Sequence, residues 1–361
     1  MTTAPDPNAT APLVSIVIPT CNRSDVLSRC LEALSVQTFH NFEIVIIDDA
    51  STDDTPAVIR RYTPGRDDVH VIRLRNDAHA GANPSRNRGI AVANGALVAF
   101  LDCDCMADAS WLEHLIAPLA ADNTRRIAAT TGMVLDAPPH SAFDLTFKGT
   151  HRIQGAGSAS RLIAGNMCIR RDLLLRYRLD EDRAERLRTS DGAPDVSVSG
   201  RGDEEGVHLI LRAAGYQLLA VPDAVVLHEH HLARRAFFRQ AFRGGRSAAR
   251  LVYKYALPQR LDMAPFLLAI LTAPLGIFWR PLFALPAFFV AAAIAAITYN
   301  DLFRKRKTLF ETLITFPLLL AYYLVRLCGY VSESIRLRVS RHDVRRTRLA
   351  DFEGDADRDR G

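Results

Sequence analysis

Ala96-Leu97-Val98-Ala99-Phe100-Leu101-Asp102-Cys103-Asp104 is the stretch on which the reading of this chain turns. Six apolar residues read as a buried strand, and the chain leaves it through two carboxylates two positions apart. Carboxylates so spaced on a turn reach one hard divalent cation or its water shell. Mg2+ and Mn2+ take oxygen ligands and keep positions open for phosphate oxygens. A D-x-D string is also common on solvated turns, so its weight depends on what surrounds it.

Upstream, strands and helices alternate every 20–30 residues. Leu13–Pro19 reads as a β-branched strand ended by proline. Ser24–Val36 has helical spacing of Val26, Leu27, Leu31 and Leu34, with Ser24 able to cap it. Phe42–Ile47 and Val69–Leu74 read as strands, and Thr55–Tyr62 and Asn83–Asn94 as helices. This order predicts a mostly parallel α/β sheet with crossover helices, whose ligands bind beyond the carboxyl ends of the strands. Residues 1–12, rich in Ala, Thr and Pro, read as disordered and have no secretory leader pattern.

Four further clusters lie at strand ends or helix starts. Asp48-Asp49, followed by Ser51-Thr52-Asp53, offers acceptors for a base N–H or ribose hydroxyls, with Asp49 the better candidate. Asx turns and helix caps use the same residues. Ser85-Arg86-Asn87-Arg88-Gly89 brings guanidinium and amide groups to a helix start, where they suit a diphosphate. Gly202-Asp203-Glu204-Glu205 opens a helix at Glu204–Ala214. A carboxylate there is a candidate general base, although acidic residues also simply favour a helix N-terminus. Gln217–Val221 and Val225–Leu227 read as two short strands, and His228, His230 and His231 follow the second and add imidazoles to a metal site. A zinc site is disfavoured, since Cys103-x-Cys105 lacks the structural zinc spacing.

The chain has 361 residues, a net charge of +5 and six cysteines without disulfide-type spacing. The thiols fit a reducing compartment. The basic excess sits largely in the last third and reads as attraction to a membrane surface; no basic–aromatic stripe points to nucleic acid. After residue 260 the composition turns apolar. Pro265–Trp279, Pro281–Tyr299 and Thr312–Val325 carry no charge, and only the second approaches the roughly 17–25 residues that span a bilayer. Arginines before 255 and after 335, with Arg304-Lys305-Arg306-Lys307 between, place these flanks on the cytoplasmic side. A hairpin over 264–299 with an interfacial third segment satisfies this. There is no P-loop, no dinucleotide fingerprint after the first strand, no nucleophile elbow and no H-E-x-x-H.

The strings Val14–Thr20, Ile46–Asp53, Arg86–Ile90 and Phe100–Asp104, in this order and spacing, resemble family 2 glycosyltransferases with a GT-A fold. The likeness continues through Ala164-Gly165-Asn166, Asp203-Glu204, Ala214-Gly215-Tyr216 and the histidines. It implies a nucleotide-sugar-binding domain over 13–255, membrane-associated helices over 256–335 and a basic, then acidic, tail over 336–361. It also implies inverting, Mg2+- or Mn2+-dependent transfer of a sugar to an acceptor hydroxyl. Pro19, Thr20, Arg23, Asp48, Asp49, Arg86, Asn87 and Asp102 would contact the nucleotide-sugar. Asp104 and His228 would hold the metal, Asn166 and His230 would face the acceptor, and Glu204 or Asp203 would be the base. The family usually has Glu-Asp where this chain has Asp203-Glu204, which leaves that choice open, and Gly206 stands where a second acidic residue is common. The apolar C-terminal part implies a lipid-linked or surface-polysaccharide acceptor at the cytoplasmic membrane. The alternatives are a nucleotidyltransferase, disfavoured because Thr20-Cys21-Asn22-Arg23 has no glycine, and an inactive nucleotide-sugar sensor.

Overall fold

The computed structural model describes residues 13–65, 68–150, 153, 155–181, 187–188, 194–195, 204–229, 233–258, 264–339 and 346–359. The strands are β1 Val14–Thr20, β2 Phe42–Asp48, β3 His70–Arg75, β4 Leu97–Leu101, β5 Cys105–Ala107, β6 Ile127–Asp136, β7 Gly157–Ser158, β8 Asn166–Arg170, β9 Leu187–Arg188, β10 Pro194–Asp195 and β11 Gln217–His228. One sheet runs β3-β2-β1-β4-β8-β6-β11-β5, with β7 on β11; β9 and β10 form a separate two-stranded ribbon. β1 to β4 are mutually parallel, and β6 is parallel to β11. β8 runs against both β4 and β6, so β4, β6 and β11 all point the same way. The sheet is therefore mostly parallel, as the alternation of strands and helices predicts.

Helices α1 Ser24–Ser35, α2 Thr55–Arg61, α3 Ala82–Val92, α4 Trp111–Ala121, α5 Ala142–Phe147, α6 Arg171–Tyr177 and α7 Glu205–Ala213 accompany the sheet. α1 buries Val26, Leu27, Cys30, Leu31 and Leu34, the spacing of one helical face. Two clusters of apolar side chains cover the sheet: Ile16, Ile18, Leu31, Ile46 and Trp111 belong to one, Val17, Ile47, Phe100, Leu174 and Leu211 to the other. Ser24 does not cap α1. Asp53 serves both helix starts, accepting from the Ser24 N–H at 3.3 Å and the Thr55 N–H at 2.9 Å. The two short strands expected at 217–221 and 225–227 are one strand, β11, with an irregular register between Val221 and Val225 that absorbs Pro222.

Four longer helical stretches follow: α8 Arg234–Lys254, α9 Ala264–Thr272 with the short α10 Leu275–Phe278, α11 Ala284–Tyr299, and α12 Leu309–Val339; the last helix is α13 Asp355–Arg358. α8 and α12 approach so closely that a Cβ on Gly245 would lie 1.9 Å from the Arg326 carbonyl, and one on Gly329 2.0 Å from that of Phe242. The buried Glu333 carboxylate locks the pair through Arg246 and Arg250. The segments 280–304 and 309–339 are long and apolar enough to cross a membrane, by length and composition alone; 11% of the first one's apolar window is buried and 39% of the second's. Residues 346–359 fold back on the sheet domain. Asp355 accepts from the Tyr177 hydroxyl at 2.8 Å, and Phe352 stacks edge-on against Tyr177.

Candidate functional site

Every parallel strand delivers its last residue to one edge of the sheet. Asp102 directly follows β4, and the turn after it carries Asp104; β11 ends in His228. His228 stands in register with Asp136 at the end of β6 on one side and with Cys105 of β5 on the other. The pairing carries the imidazole to the carboxylates: His228 Nε2 lies 3.4 Å from Asp104 Oδ1. The Glu229 N–H, one residue on, donates to the Asp104 carbonyl at 3.0 Å and fixes the turn.

Asp102 stands beside this pair. One of its oxygens accepts from Arg86 Nη2 at 2.7 Å. Arg86 is buried, so α3 supplies a guanidinium whose position is set before any ligand arrives. The second oxygen of Asp102 has no hydrogen-bond partner among the described residues. It faces Gly165, where a Cβ would come within 2.8 Å of it. Arg23, after β1, is close enough to stabilise the charge of Asp104. Burial would raise the Asp104 carboxyl, but His228 and Arg23 outweigh it and hold the group well below the usual carboxylate range. Burial opposes the positive charge on His228, yet Asp104, Asp102 and Asp136 together shift its pKa upward.

Asp104, Cys105 and His228 each offer a ligand atom within 4.8 Å of the others. The carboxylate suits Mg2+ or Mn2+, and a direct imidazole ligand favours Mn2+ of the two. Cys105 is buried, and burial, Asp104 and Asp102 push its thiol well above its ordinary value, so it is a neutral neighbour rather than a thiolate ligand. Cys103 points into the core, its thiol pushed up to about 12 by burial and by Asp104. The residues fit a hard divalent cation with open positions.

The other expected residues divide. Pro19 and Thr20 end β1 beside this edge; the Thr20 hydroxyl is buried beside the Cys103 thiol. Asp48 and Asp49 do not present free carboxylates. Asp48 is ion-paired to Arg75 and accepts from the Ser51 N–H at 3.0 Å. Asp49 Oδ1 accepts from Asn76 Nδ2 at 2.6 Å and the Ala80 N–H at 2.8 Å. Its Oδ2 accepts from the Gly81 N–H at 2.8 Å and lies 2.9 Å from His79 Nδ1. Four partners use up its acceptor sites, so its side chain organises the 76–81 loop rather than offering free acceptors to a nucleotide. Burial opposes ionisation of Asp49, but His79, Ala80, Asn76 and Gly81 lower its pKa on balance. His79 is raised to about 9: burial lowers it, and the bonds and charges of Asp49 and Cys21 more than offset this.

Asn87 is also spoken for. Its amide bonds the Leu179 backbone in both directions and the Glu181 carboxylate, tying α3 to the segment after α6. Asn166 corrects the expectation of an acceptor contact. It is fully buried, accepts from Trp111 Nε1 at 2.8 Å and donates to the Met133 and Ala224 carbonyls, each at 2.9 Å. It pins α4 to the sheet, with both N–H donors used and no surface open to a substrate. Glu204 stands at the N-cap of α7, where its charge and that of Glu205 act on Arg161. Asp203 and His230 lie outside the described residues.

The sequence reading gave no role to three participants. Gly165 leaves room for Asp102, Asp136 adds charge next to His228, and His79 braces Asp49. Asp136 carried a usable signal, a carboxylate at a strand end like Asp102. Gly165 and His79 carried none, because each matters only through a contact with a residue distant in the chain.

The sequence model described as Glycosyl transferase family 2 matches residues 15–177. Glycosyltransferase AglE of Haloferax volcanii is 32% identical over 114 residues, 31% of this chain and 37% of the relative. The uncharacterized glycosyltransferase YibD of Escherichia coli is 42% identical over 91 residues, 25% of this chain and 26% of the relative. The chain thus spans well under half the length of these relatives. Among solved structures, mannosyltransferase PcManGT from Pyrobaculum calidifontis, in complex with GDP-Man and Mn2+, superposes with a TM-score of 0.53 at 19% identity, covering 94% of this chain and 90% of that one. That likeness is one of fold. Residues 15–177 thus match the family 2 glycosyltransferases, and the architecture is of the GT-A type.

Proposed function

We propose that this chain transfers a sugar from a nucleoside-diphosphate sugar to an acceptor hydroxyl, with inversion at the anomeric carbon. The observation that carries the reading is the meeting of Asp102, Asp104 and His228 at one sheet edge, with the buried Arg86 already fixed on Asp102. Asp104 and His228 would hold Mg2+ or Mn2+. When bound, the cation would supply positive charge at the diphosphate as it departs. Arg86 holds Asp102 in place for ribose or diphosphate groups, and Arg23 adds positive charge on the same side. Glu204, at the N-cap of α7, or Asp203, the residue before it in the sequence, would take the acceptor proton. Holding donor and acceptor on one rigid edge removes much of the entropic barrier. The relatives' names and the mannosyltransferase bound to GDP-Man and Mn2+ support the donor class and the cation.

We place the catalytic domain at residues 13–255, on the cytoplasmic face of the membrane, and the membrane-associated part at 256–335. The exposed apolar side chains of α10 to α12, such as Phe278, Phe288 and Phe310, support that placement. A lipid-linked or surface-polysaccharide acceptor follows from it. The test is nucleoside diphosphate release across a donor panel, with and without Mn2+, for the wild type and Glu204→Gln. Metal-dependent release that Glu204→Gln abolishes while donor binding persists supports the reading with Glu204 as base. Survival of transfer in that variant moves the role to Asp203. Donor binding with no turnover on any acceptor sinks the enzymatic reading in favour of a sensor.

A further inference from the structure

We propose that a pocket between α5, α8 and α12 seats a lipid-linked acceptor, taking both its phosphate and the first part of its apolar chain. The proposal rests on the glycosyltransferase reading and gives its acceptor a chemical class. The pocket has a volume of about 580 Å3 and is lined by Phe143, Arg234, Arg235, Phe238 and Leu318. Its floor is rigid. Phe143, Phe238 and Leu318 are the half-buried rim of an aromatic cluster built from Phe147, Phe237 and Tyr322. Phe237 stands 5.1 Å from Phe143, 5.6 Å from Phe147 and 5.3 Å from Tyr322, ring centre to ring centre.

The mouth is cationic. Arg234 and Arg235 open α8, are exposed, and have no carboxylate partner among the described residues. The first turn of α8 contains no acidic residue, so two positive side chains sit at the positive end of the helix dipole. That arrangement is unfavourable by itself, and an anion bound there relieves it. An apolar floor beneath two uncompensated guanidiniums fits a phosphate carried on a hydrocarbon chain. A neutral lipid leaves the arginines unused, and free phosphate leaves the aromatic floor unused.

Two connections place the pocket between the catalytic edge and the apolar helices. α5 follows β6 and α8 follows β11, and the last residues of those strands, Asp136 and His228, are paired in register. Arg234 is six residues beyond His228, a reach of at most about 20 Å. On the opposite side, Phe310, Ile314 and Leu318 stand four apart on one face of α12, with Phe310 and Ile314 exposed. This ridge gives a chain leaving the pocket a continuous apolar path along the membrane-associated helix.

Binding of farnesyl phosphate, farnesol and inorganic phosphate to the full chain in nanodiscs, without donor or metal, tests the proposal. Farnesyl phosphate should bind. The double variant Arg234→Ala/Arg235→Ala should bind it roughly tenfold more weakly or worse, as expected for losing charge-assisted contacts. Leu318→Trp, which narrows the cavity at its apolar floor, should weaken it as well, and Arg234→Lys/Arg235→Lys should retain most of the affinity. Donor binding should be unchanged in all three variants. The proposal is overturned if the wild type does not bind farnesyl phosphate, if the Ala and Trp variants bind it as tightly as the wild type, or if farnesol binds equally well. Inorganic phosphate competing at equal concentration also overturns it, by showing a free-anion site. Because the assay uses no donor, absent sugar transfer alongside intact farnesyl phosphate binding counts against the enzymatic reading alone.

Discussion

Asp48-Asp49 and Asp102-Cys103-Asp104 both follow apolar strands, both lie on the carboxyl edge of one sheet, and both invite the same reading as ligand groups. The structure separates them by what their oxygens already hold. Asp49 is saturated by Asn76, Ala80, Gly81 and His79, and Asp48 has both oxygens engaged, one by Arg75 and one by Ser51. Among the described residues Asp102 has one hydrogen-bond partner, Arg86, and Asp104 faces His228 across 3.4 Å with the charge of Arg23 nearby. A carboxylate whose acceptor sites are filled from within the chain contributes to the fold, and one with acceptor sites left over can serve a ligand. The first pair therefore shapes the fold around the site, and the second is the pair to which we assign its chemistry under the proposed function.

The largest expected effect divides the two pairs most cleanly. Asp104→Ala should lower turnover by roughly two to three orders of magnitude and remove metal-dependent donor binding, as loss of a preorganised charge at a leaving group does. Its thermal midpoint should stay near that of the wild type, because the carboxylate joins few elements. Unchanged turnover would remove Asp104 from the metal site.

Asp49→Ala should show the opposite pattern. It strips the partner from three hydrogen-bond donors and from His79, for an expected loss of about 2–4 kcal/mol of stability. Urea unfolding reads this directly. An unfolding midpoint equal to that of the wild type, with donor binding lost, would restore Asp49 as a ligand contact and end the contrast.

Gly165→Ala sharpens the other side. The added methyl would meet Asp102 Oδ2 at 2.8 Å and push the carboxylate off Arg86. Roughly a tenfold fall in kcat/KM is expected, about 1.4 kcal/mol of transition-state stabilisation. Wild-type kinetics would show that the Asp102–Arg86 alignment is dispensable.

The smallest effect is in pH. His79 has an ordinary pKa of 6.5 and is raised to about 9 in the fold, so the folded state holds its proton more tightly than the unfolded state. The stability this contributes is complete below pH 6.5, declines as pH rises, and is gone above about 9. The stability difference between wild type and His79→Ala, followed by unfolding from pH 6 to 10, should shrink along that course. A difference that does not vary with pH would mean that His79 is not charged against Asp49.

Much of the architecture was legible in the residues. β-branched runs closed by Pro19, Asp48 or Asp102 gave strands, and the face formed by Val26, Leu27, Leu31 and Leu34 gave α1, because side-chain periodicity is a local property. The strand-end position of Asp104 and His228 followed from the same periodicity. The doubling back of residues 346–359 onto Tyr177 was not legible, nor was the fusion of two short strands into β11. Asn166 misled because an Asn reads the same in sequence whether its amide meets solvent or Trp111.

The sequence by itself determined the strand–helix order, the carboxyl-edge placement of its acidic residues and the apolar turn of composition after residue 260. Each depends on neighbours within a few positions. Only the tertiary structure decided which carboxylates remain available, since that depends on partners distant in the chain: Asn76 for Asp49, His228 for Asp104, Gly165 for Asp102. Hydrogen-bond saturation is a property of the folded arrangement, and no spacing rule encodes it.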